Sequence, residues 1–226
     1  MKNITIILLL ILTTIMTAQN NPTPTVDVTG EGIVNVVPDE VTVKVRVENT
    51  GKNATVIKQQ NDRTVNDVLK FIKGMGIADK DVQTEYIRLS KNYEYNTKTY
   101  NYAANQSISV KLRDLSKYEG LMNGLLESGI NRIDGVAFSS SNKENLETSA
   151  RKKAIENAQM KAKEYSAVLG QSIGKAIAIS EFRMSNTPQP MYRAMAIEGD
   201  VSGGQQSIAP GEMEIRVVVN VSFILN

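Results

Sequence analysis

The chain of 226 residues contains no cysteine, no histidine and no tryptophan. Without cysteine there are no disulfides and no thiol nucleophile, and without histidine there is no Ser-His-Asp triad and no imidazole metal ligand. Carboxylates remain, but no D-x-D-x-D-G loop followed by a glutamate is present for calcium. We therefore expect no catalytic residue, no cofactor-binding residue and no metal ligand, and a protein that is not an enzyme.

An excess of charge of one sign is also missing, since 26 basic residues face 24 acidic ones and the formal net charge is +2. This balance gives no broad electrostatic footprint for nucleic acid or for an anionic membrane. The basic stretch "ARKKA" at residues 150–154 is typical of a solvated helix face, with a phosphate patch as the alternative. We expect no nucleic-acid partner.

Long hydrophobic runs are limited to the N-terminus, "MKNITIILLLILTTIMTAQNNPTPT". One positive charge at Lys2, an apolar run over residues 4–15 and a small residue at Ala18 are the features of a secretory signal peptide. The run is shorter than the roughly 18 residues that a membrane-spanning helix needs. We predict a signal peptide at residues 1–18, a spacer at 19–24 and a mature protein that is exported from the cytoplasm.

The central third of the chain alternates between strand and helix patterns. "EVTVKVRVENTG" places valines on one face only, as in a half-buried strand, and Asn53 to Gly74 has helical spacing with an N-cap residue at its start. Strand-like runs at residues 82–95 and 100–113 follow, joined by "NTKT". A helix from Leu115 to Ser128 and a strand through "INRIDGVAF" come next. Residues 41–138 therefore have the βαββαβ order of a ferredoxin-like split unit.

The rest of the chain predicts a long helix at residues 143–169 and two further strands, "IGKAIAISEF" and "EMEIRVVVNVSFIL". Near residue 25 another strand begins, and its Gly30 and Gly32 suggest an edge strand with a bulge. The fold class is α+β, with a largely antiparallel sheet and three helices. One domain at 25–226 is expected, formed by the split unit and by residues 143–226 with a mobile loop at 185–211.

Two features of this second part leave alternatives open. The long helix carries Ala150, Ala154, Ala158 and Ala162 at four-residue spacing, which suits close packing on the chain's own sheet or a seam between copies. The loop at 185–211 is rich in proline, glycine and methionine, and it is either a surface loop without a specific role or a contact for a partner.

Tyrosines are concentrated in one stretch, since five of the eight lie between residues 86 and 102. Tyr93 and Tyr95 are two apart, as are Tyr100 and Tyr102, so across a turn near residues 96–99 all four share one face. Cross-strand aromatic pairs of about 0.2–1 kcal/mol each would stiffen the hairpin. Alternatively, the four tyrosines form a contact surface, for which self-association is the simplest partner. They are the candidate interaction surface.

Several segments, taken in order, resemble the SIMPL domain family of exported bacterial proteins. The segments are "GEGIVNVVPDEVTVKVRV", "IADKDVQTEYIRLSKNYEY" leading into "YNYAANQSISVKLRDL", "SGINRIDGVAFS", "ARKKAIENAQMKAKEYSAVLG" and "IAPGEMEIRVVVNVSFIL". The first helix, "NATVIKQQNDRTV", has less alanine than is usual in the family. The resemblance implies a periplasmic or envelope-associated α+β protein, with some members linked to oxidative stress tolerance and some to ring-like or channel-like assemblies. It implies no active site.

Three functions from different classes compete. The preferred one is a self-assembling scaffold or interaction protein of the envelope, a homo-oligomer that associates peripherally with the envelope. The alternative is a periplasmic protein that binds a small molecule, of unknown identity. A hydrolase with a carboxylate pair is third, because Asp39 with Glu40 and Asp79 with Asp81 are better explained as turn residues.

Overall fold

The computed structural model describes residues 23–182 and 208–226, which form two compact units with a sheet each. The described parts of the larger unit are residues 34–147 and 208–215, and those of the smaller unit are residues 23–33, 148–182 and 216–226. The predicted signal peptide and most of the predicted loop at 185–211 lie outside the described residues. The fold is α+β with antiparallel sheets and three helices, as the sequence predicted.

Seven strands and three helices make up the described chain. The strands are β1 (Thr25–Val36), β2 (Glu40–Gly51), β3 (Val82–Glu94), β4 (Thr99–Leu112), β5 (Arg132–Ser139), β6 (Ile173–Phe182) and β7 (Met213–Leu225). The helices are α1 (Ala54–Gly74), α2 (Tyr118–Glu127) and α3 (Lys143–Val168). Short 3₁₀ turns at Asp79–Asp81 and Leu115–Lys117 precede β3 and α2.

The sheet of the larger unit has the order β3-β4-β2-β5, and every neighbouring pair is antiparallel. With α1 between β2 and β3 and α2 between β4 and β5, this is the ferredoxin-like arrangement that the sequence predicted. The first helix also starts where expected, because the side chain of Asn53 accepts hydrogen bonds from the main-chain N–H groups of Thr55 and Val56.

One face of this sheet and the two helices enclose the core of the larger unit. The alternation of valines with polar residues in β2 turns one face of the strand into the core, and its four odd-numbered valines are almost completely buried. The core cluster consists of Val41, Val43, Val45, Val47, Val65, Val68, Ile72, Ile108, Val110, Leu112, Tyr118, Leu121, Leu125 and Ile130. Because the buried residues of β2 and β4 lie opposite one another, this face is the helix side of the sheet.

Helix α2 begins three residues later than the sequence indicated. Asp114 accepts hydrogen bonds from the main-chain N–H and the hydroxyl of Ser116, and the chain makes a 3₁₀ turn over Leu115–Lys117 before the α-helix. The side chain of aspartate competes here with regular helical hydrogen bonding. The α-helix therefore starts at Tyr118, which is buried in the core.

The smaller unit has a three-stranded sheet, β1-β7-β6, in which β1 is an edge strand as predicted. The alanine ladder of α3 is fully buried and packs against β1. A Cβ atom on Gly30 would lie 2.0 Å from the carbonyl oxygen of Ala154, and one on Gly32 would lie 2.0 Å from that of Ala150. The glycines thus permit close approach of the helix, and the ladder packs on the chain's own sheet.

Candidate interaction surface

The candidate surface lies on the hairpin formed by β3 and β4. The register places Tyr93 directly opposite Tyr100 and Lys91 opposite Tyr102. Opposite residues share a face, and so do residues two apart on one strand. The turn contains Lys98 with φ of 51°, a left-handed conformation that reverses the chain. Tyr93, Tyr100 and Tyr102 therefore lie on one face, as the spacing predicted, and Tyr95, the first residue of the turn, adjoins this face through its ring contact with Tyr93.

The tyrosine rings contact each other through Tyr93. The centroid of its ring lies 5.1 Å from that of Tyr95 in an edge-to-face arrangement, and 5.0 Å from that of Tyr100. These are the distances at which aromatic pairs attract each other. The rings remain accessible nevertheless, and 84% of Tyr95 is exposed. The cluster is therefore ordered by its own contacts and is still open to solvent.

A lysine completes the cluster. The Nζ atom of Lys91 lies 4.1 Å from the ring centroid of Tyr100 and 5.9 Å from that of Tyr102. A cation at this distance from an aromatic face is attracted by the ring quadrupole, by about 0.5–1 kcal/mol at an exposed site. The ammonium group of Lys91 therefore lies near the two tyrosine rings of β4. The ring of Tyr93 contacts those of Tyr95 and Tyr100.

The apolar surface extends further along β3 than the tyrosines indicated. Ile87 and Leu89 lie on the same face as Tyr93, opposite Gln106 and Ala104, with 70% and 49% of their area exposed. Sequence reasoning missed them, although the alternation from Ile87 to Tyr95 was available as a signal. We use "tyrosine face" for the set Ile87, Leu89, Tyr93, Tyr95, Tyr100 and Tyr102.

The tyrosine face continues the helix side of the sheet. Tyr100 and Tyr102 have the same strand parity as the core residue Ile108, and the pairing of β2 with β4 has no irregularity between them. β2 ends at Gly51, which pairs with Tyr102, so beyond that point β4 pairs with β3 alone. The hairpin thus extends past the central strand as a two-stranded ribbon, and its face is exposed.

Tyr86, the fifth tyrosine of the stretch, lies on the opposite face. It pairs with Ser107, next to a register shift between Thr84 and Tyr86, and the guanidinium carbon of Arg46 lies 5.7 Å from its ring centroid. Tyr86 and Tyr93 are seven positions apart, an odd number, so the two side chains point to different sides of β3. The structure brings four of the five tyrosines together and excludes this one.

The acidic residues that might have formed a catalytic pair are engaged elsewhere. Glu40 is buried and forms ion pairs of 2.6 Å with Lys111 and 2.7 Å with Arg113. The same guanidinium contacts Asp81 at 2.6 Å. The interpretation of Glu40 as a turn residue is therefore wrong, because it begins β2 and its side chain is neutralised by two cations from β4 and the residue after it.

Hydrogen bonds shift the pKa values of two of these carboxyl groups. The hydrogen bond from Arg113, together with its charge, holds the pKa of Asp81 below the usual value, although burial opposes the shift. Asp39 accepts hydrogen bonds from the hydroxyl and the main-chain N–H of Ser141, and these lower its pKa as well. Asp39 lies in the short connection between β1 and β2, and both carboxylates are stabilised in their charged forms.

The smaller unit contains a polar pocket of about 320 Å³, lined by Asp27, Val28, Thr29, Asn220, Val221 and Ser222. Its polar side chains bond to each other: the hydroxyl of Thr29 donates to Asn220 over 2.8 Å, and the hydroxyl of Ser222 donates to Asp27. These hydrogen bonds join β1 to β7.

Two further properties concern only residues 23–182 and 208–226. No three acidic side chains in these ranges converge in a way that would hold a metal ion. No helix there combines the length and the apolar character needed to cross a membrane.

Comparison with known proteins finds a family of unknown function and relatives that include a protein named as periplasmic. Residues 26–223 match the family model described as "SIMPL: Protein of unknown function (DUF541)". The chain is 28% identical to "Uncharacterized protein YggE" of Escherichia coli K12, over 93% of this chain and 88% of that protein. It is equally similar, at 28%, to the "26 kDa periplasmic immunogenic protein" of Brucella melitensis, over 91% of this chain and 88% of that protein.

A human protein also shows similarity. The "Interleukin-1 receptor-associated kinase 1-binding protein 1" of Homo sapiens is 27% identical over 73% of this chain and 62% of that protein.

Proposed function

Because the chain belongs to the SIMPL family of proteins of unknown function, we propose that it is an exported, non-enzymatic envelope protein that assembles with copies of itself. The observation that carries this proposal is the tyrosine face, which combines clustered rings and two exposed aliphatic side chains on one side of a hairpin. The proposal assigns to this face the contact between copies.

The assignment of the tyrosine face as the contact between copies is supported by two of its properties: its rings are ordered by their own contacts, and they are exposed to solvent. Apolar side chains scattered over a surface are normal, but a contiguous apolar patch is typical of an interaction site. Tyrosine suits such a site because it buries a large area while losing little conformational freedom. In protein interfaces, a few such positions contribute most of the binding free energy. The rings of Tyr95 and Tyr100 already contact that of Tyr93 in the single chain, so part of the conformational entropy cost of association is already covered before copies meet.

Export is supported by the N-terminal residues and by one relative. The charge at Lys2, the short apolar run and Ala18 fit a cleaved signal peptide, and the Brucella melitensis relative is named a periplasmic protein. We propose cleavage after Ala18 and residence in the periplasm, with peripheral association with the envelope. Cell fractionation with N-terminal sequencing tests this, and an intact Met1 chain recovered from the cytosol would refute it.

The absence of an enzymatic role is also a proposal, supported by the state of the acidic residues. Glu40 and Asp81 share Arg113, and Asp39 accepts hydrogen bonds from Ser141. A general acid near neutral pH needs a raised pKa, whereas the pKa values of Asp39 and Asp81 are lowered. These carboxylates therefore suit a structural role better than proton transfer.

Light scattering of the purified mature protein at micromolar concentration tests self-assembly. We expect a mass of at least two chains that falls on dilution, because the equilibrium between copies depends on concentration. A single-chain mass at every concentration would overturn the proposal. In that case a rise in melting temperature with added small molecules becomes the measurement of interest.

A role in oxidative stress tolerance comes from the family resemblance only. Survival of a deletion strain in hydrogen peroxide, with and without the gene restored, measures it. Equal survival of the deletion and restored strains would remove this part of the proposal.

A further inference from the structure

We propose that β3 pairs with β3 of a second copy, in antiparallel orientation and with the two-fold axis at Lys91. The proposal rests on the proposed self-assembly and specifies its geometry. The two four-stranded sheets would join into one continuous sheet, with the tyrosine faces of both copies on the same side. The partner is therefore a second copy of this chain.

The first argument is the position of β3 in the sheet. It is an edge strand of 13 residues, and most of its residues are exposed. Unpaired main-chain N–H and C=O groups on such an edge are a template for pairing with another chain, and proteins usually protect long edges with charges, prolines or bulges. The irregularity between Thr84 and Tyr86 interrupts only the beginning of the strand. Residues 87–94 lie beyond it and form a regular edge.

The second argument is the self-complementarity of the sequence in one register. With Lys91 on the axis, Leu89 lies opposite Tyr93 of the second copy, and Ile87 lies opposite Tyr95 of the second copy, the residue that follows β3. On the other side of the sheet, Arg88 lies opposite Glu94 of the second copy. Each pair occurs twice because of the two-fold symmetry. Every apolar residue of this stretch thus meets another one, and each charge on the other side meets its opposite.

Neighbouring registers lose this match. A two-fold axis perpendicular to the sheet that passes through a residue of β3 places only residues of the same face opposite each other, and moving the axis by one residue shifts the register by two. An axis at Ser90 would place Lys91 opposite Leu89, and an axis at Asn92 would place Lys91 opposite Tyr93. Neither of these axes pairs Arg88 with Glu94. An axis at Leu89 would place Lys91 opposite Ile87 and would extend into the irregular part of β3. An axis at Tyr93 would place Lys91 opposite Tyr95 and would leave Arg88 beyond the paired stretch. The register with Lys91 on the axis is the one that pairs Arg88 with Glu94.

Two lysines meet at this axis, and their repulsion has to be accommodated. The Nζ atom of Lys91 lies 4.1 Å from the ring centroid of Tyr100, so the ammonium group is directed toward its own β4. The attraction of the ring for the cation holds the charge away from the axis. Arg88 and Glu94, by contrast, form no ion pair with any residue in the described ranges and are available for the second copy.

Cysteine cross-linking tests the register directly, because the chain has no cysteine of its own. Directly opposite residues in an antiparallel pair have Cα atoms about 4.5–5.5 Å apart, within the range for a disulfide. Under mild oxidation, full-length Lys91→Cys protein should form covalent dimers, whereas Ser90→Cys and Asn92→Cys should not when each is alone. A mixture of the Ser90→Cys and Asn92→Cys variants should cross-link, because residue 90 lies opposite residue 92 of the second copy. Both variants in this mixture retain Lys91, so the axis residue is unchanged.

The outcomes separate the two proposals. Suppose that light scattering shows the wild-type protein to be assembled. The β3 register is then wrong, and self-assembly stands, if neither Lys91→Cys nor the mixture cross-links. The same conclusion follows if each of the three variants cross-links equally well when it is alone. If the wild-type protein is a single chain, both proposals fail.

A charge exchange gives a second measurement that needs no oxidation. Arg88→Glu and Glu94→Arg each replace two opposite-charge contacts by two like-charge contacts, so each should raise the dissociation constant by about fivefold or more. An equimolar mixture of the two variants should restore the wild-type value. Lys152→Glu and Glu156→Arg make the same charge changes on exposed positions of α3 and should have no such effect. A mixture that remains as weak as the single variants would contradict the register.

Discussion

The side-chain amide of Asn61 donates a hydrogen bond to the main-chain carbonyl of Val47 over 3.0 Å. The same Nδ2 atom lies 3.3 Å from the carbonyl oxygen of Ala104. Asn61 is a buried residue of α1, and its partners belong to β2 and β4. One polar side chain thus joins the first helix to the two central strands, at a position where an apolar residue would be the usual choice.

Asn61→Asp should destabilise the larger unit strongly. The new side chain has almost the same shape but no donor, and its carboxylate would face two carbonyl oxygens without compensation. We expect a loss of about 2–4 kcal/mol in the free energy of unfolding at neutral pH. Urea denaturation measures it, with Asn66→Asp on the exposed side of α1 as the matched control. A loss no larger than that of the control would show that the hydrogen bonds of Asn61 do not hold the helix.

Gly32→Ala should destabilise the smaller unit, because the added Cβ would lie 2.0 Å from the main-chain oxygen of Ala150. Either β1 or α3 has to move, which costs about 1–3 kcal/mol. Thermal unfolding measures the effect. Gly135→Ala in β5 is the control, since its Cβ would meet no atom within 4 Å. Equal melting temperatures for the two variants would mean that α3 can shift without cost.

Replacing Tyr93, Tyr95, Tyr100 and Tyr102 together by serine should dissociate the assembly and leave the far-ultraviolet circular dichroism unchanged. Each buried anchor is expected to contribute about 1–2 kcal/mol to association. Tyr86→Ser, on the opposite face of the same hairpin, is the control and should stay assembled. If the fourfold variant remains assembled and only its melting temperature falls, the rings brace their own hairpin and do not contact a partner.

The ion pair between Asp81 and Arg113 should make stability depend on acidic pH. The pKa of Asp81 is lowered in the folded chain, so the ion pair contributes fully above the usual aspartate value of 3.8 and the contribution is lost as the pH falls through the lowered value. Wild-type protein should therefore be more stable than Asp81→Asn at pH 7, and the difference should shrink below about pH 4. Urea denaturation across this range decides, and a difference that does not change with pH would contradict the assignment.

Much of the fold could be predicted because its signals are local. The valine alternation of β2, the cap at Asn53 and the four tyrosines near one turn each depend on a few neighbouring residues. The tyrosine face could be found in the same way, apart from Ile87 and Leu89. Their exposure follows from the position of β3 at the edge of the sheet, which depends on strand order and not on the pattern of β3 itself.

The features that escaped prediction depend on distant partners. Glu40 looked like a turn residue because it follows Pro38 and Asp39, but its environment is set by Lys111 and Arg113, far along the chain. Gly30 and Gly32 indicated a bulge within their own strand, whereas their role in the structure is to accommodate a helix that begins more than a hundred residues later. No local pattern contains this information.

The order of strands in the smaller sheet has a consequence for biosynthesis. β7 lies between β1 and β6, and the main-chain N–H of Leu225 donates to the carbonyl of Pro24. The side chains of Thr29 and Asn220 meet across 191 residues of chain. Since a polypeptide grows from its N-terminus, β1 is made before the other six described strands, and β7, its neighbour in this sheet, is made after them. β1 therefore waits for its partner strand until β7 has been synthesised, and the smaller unit can close only then.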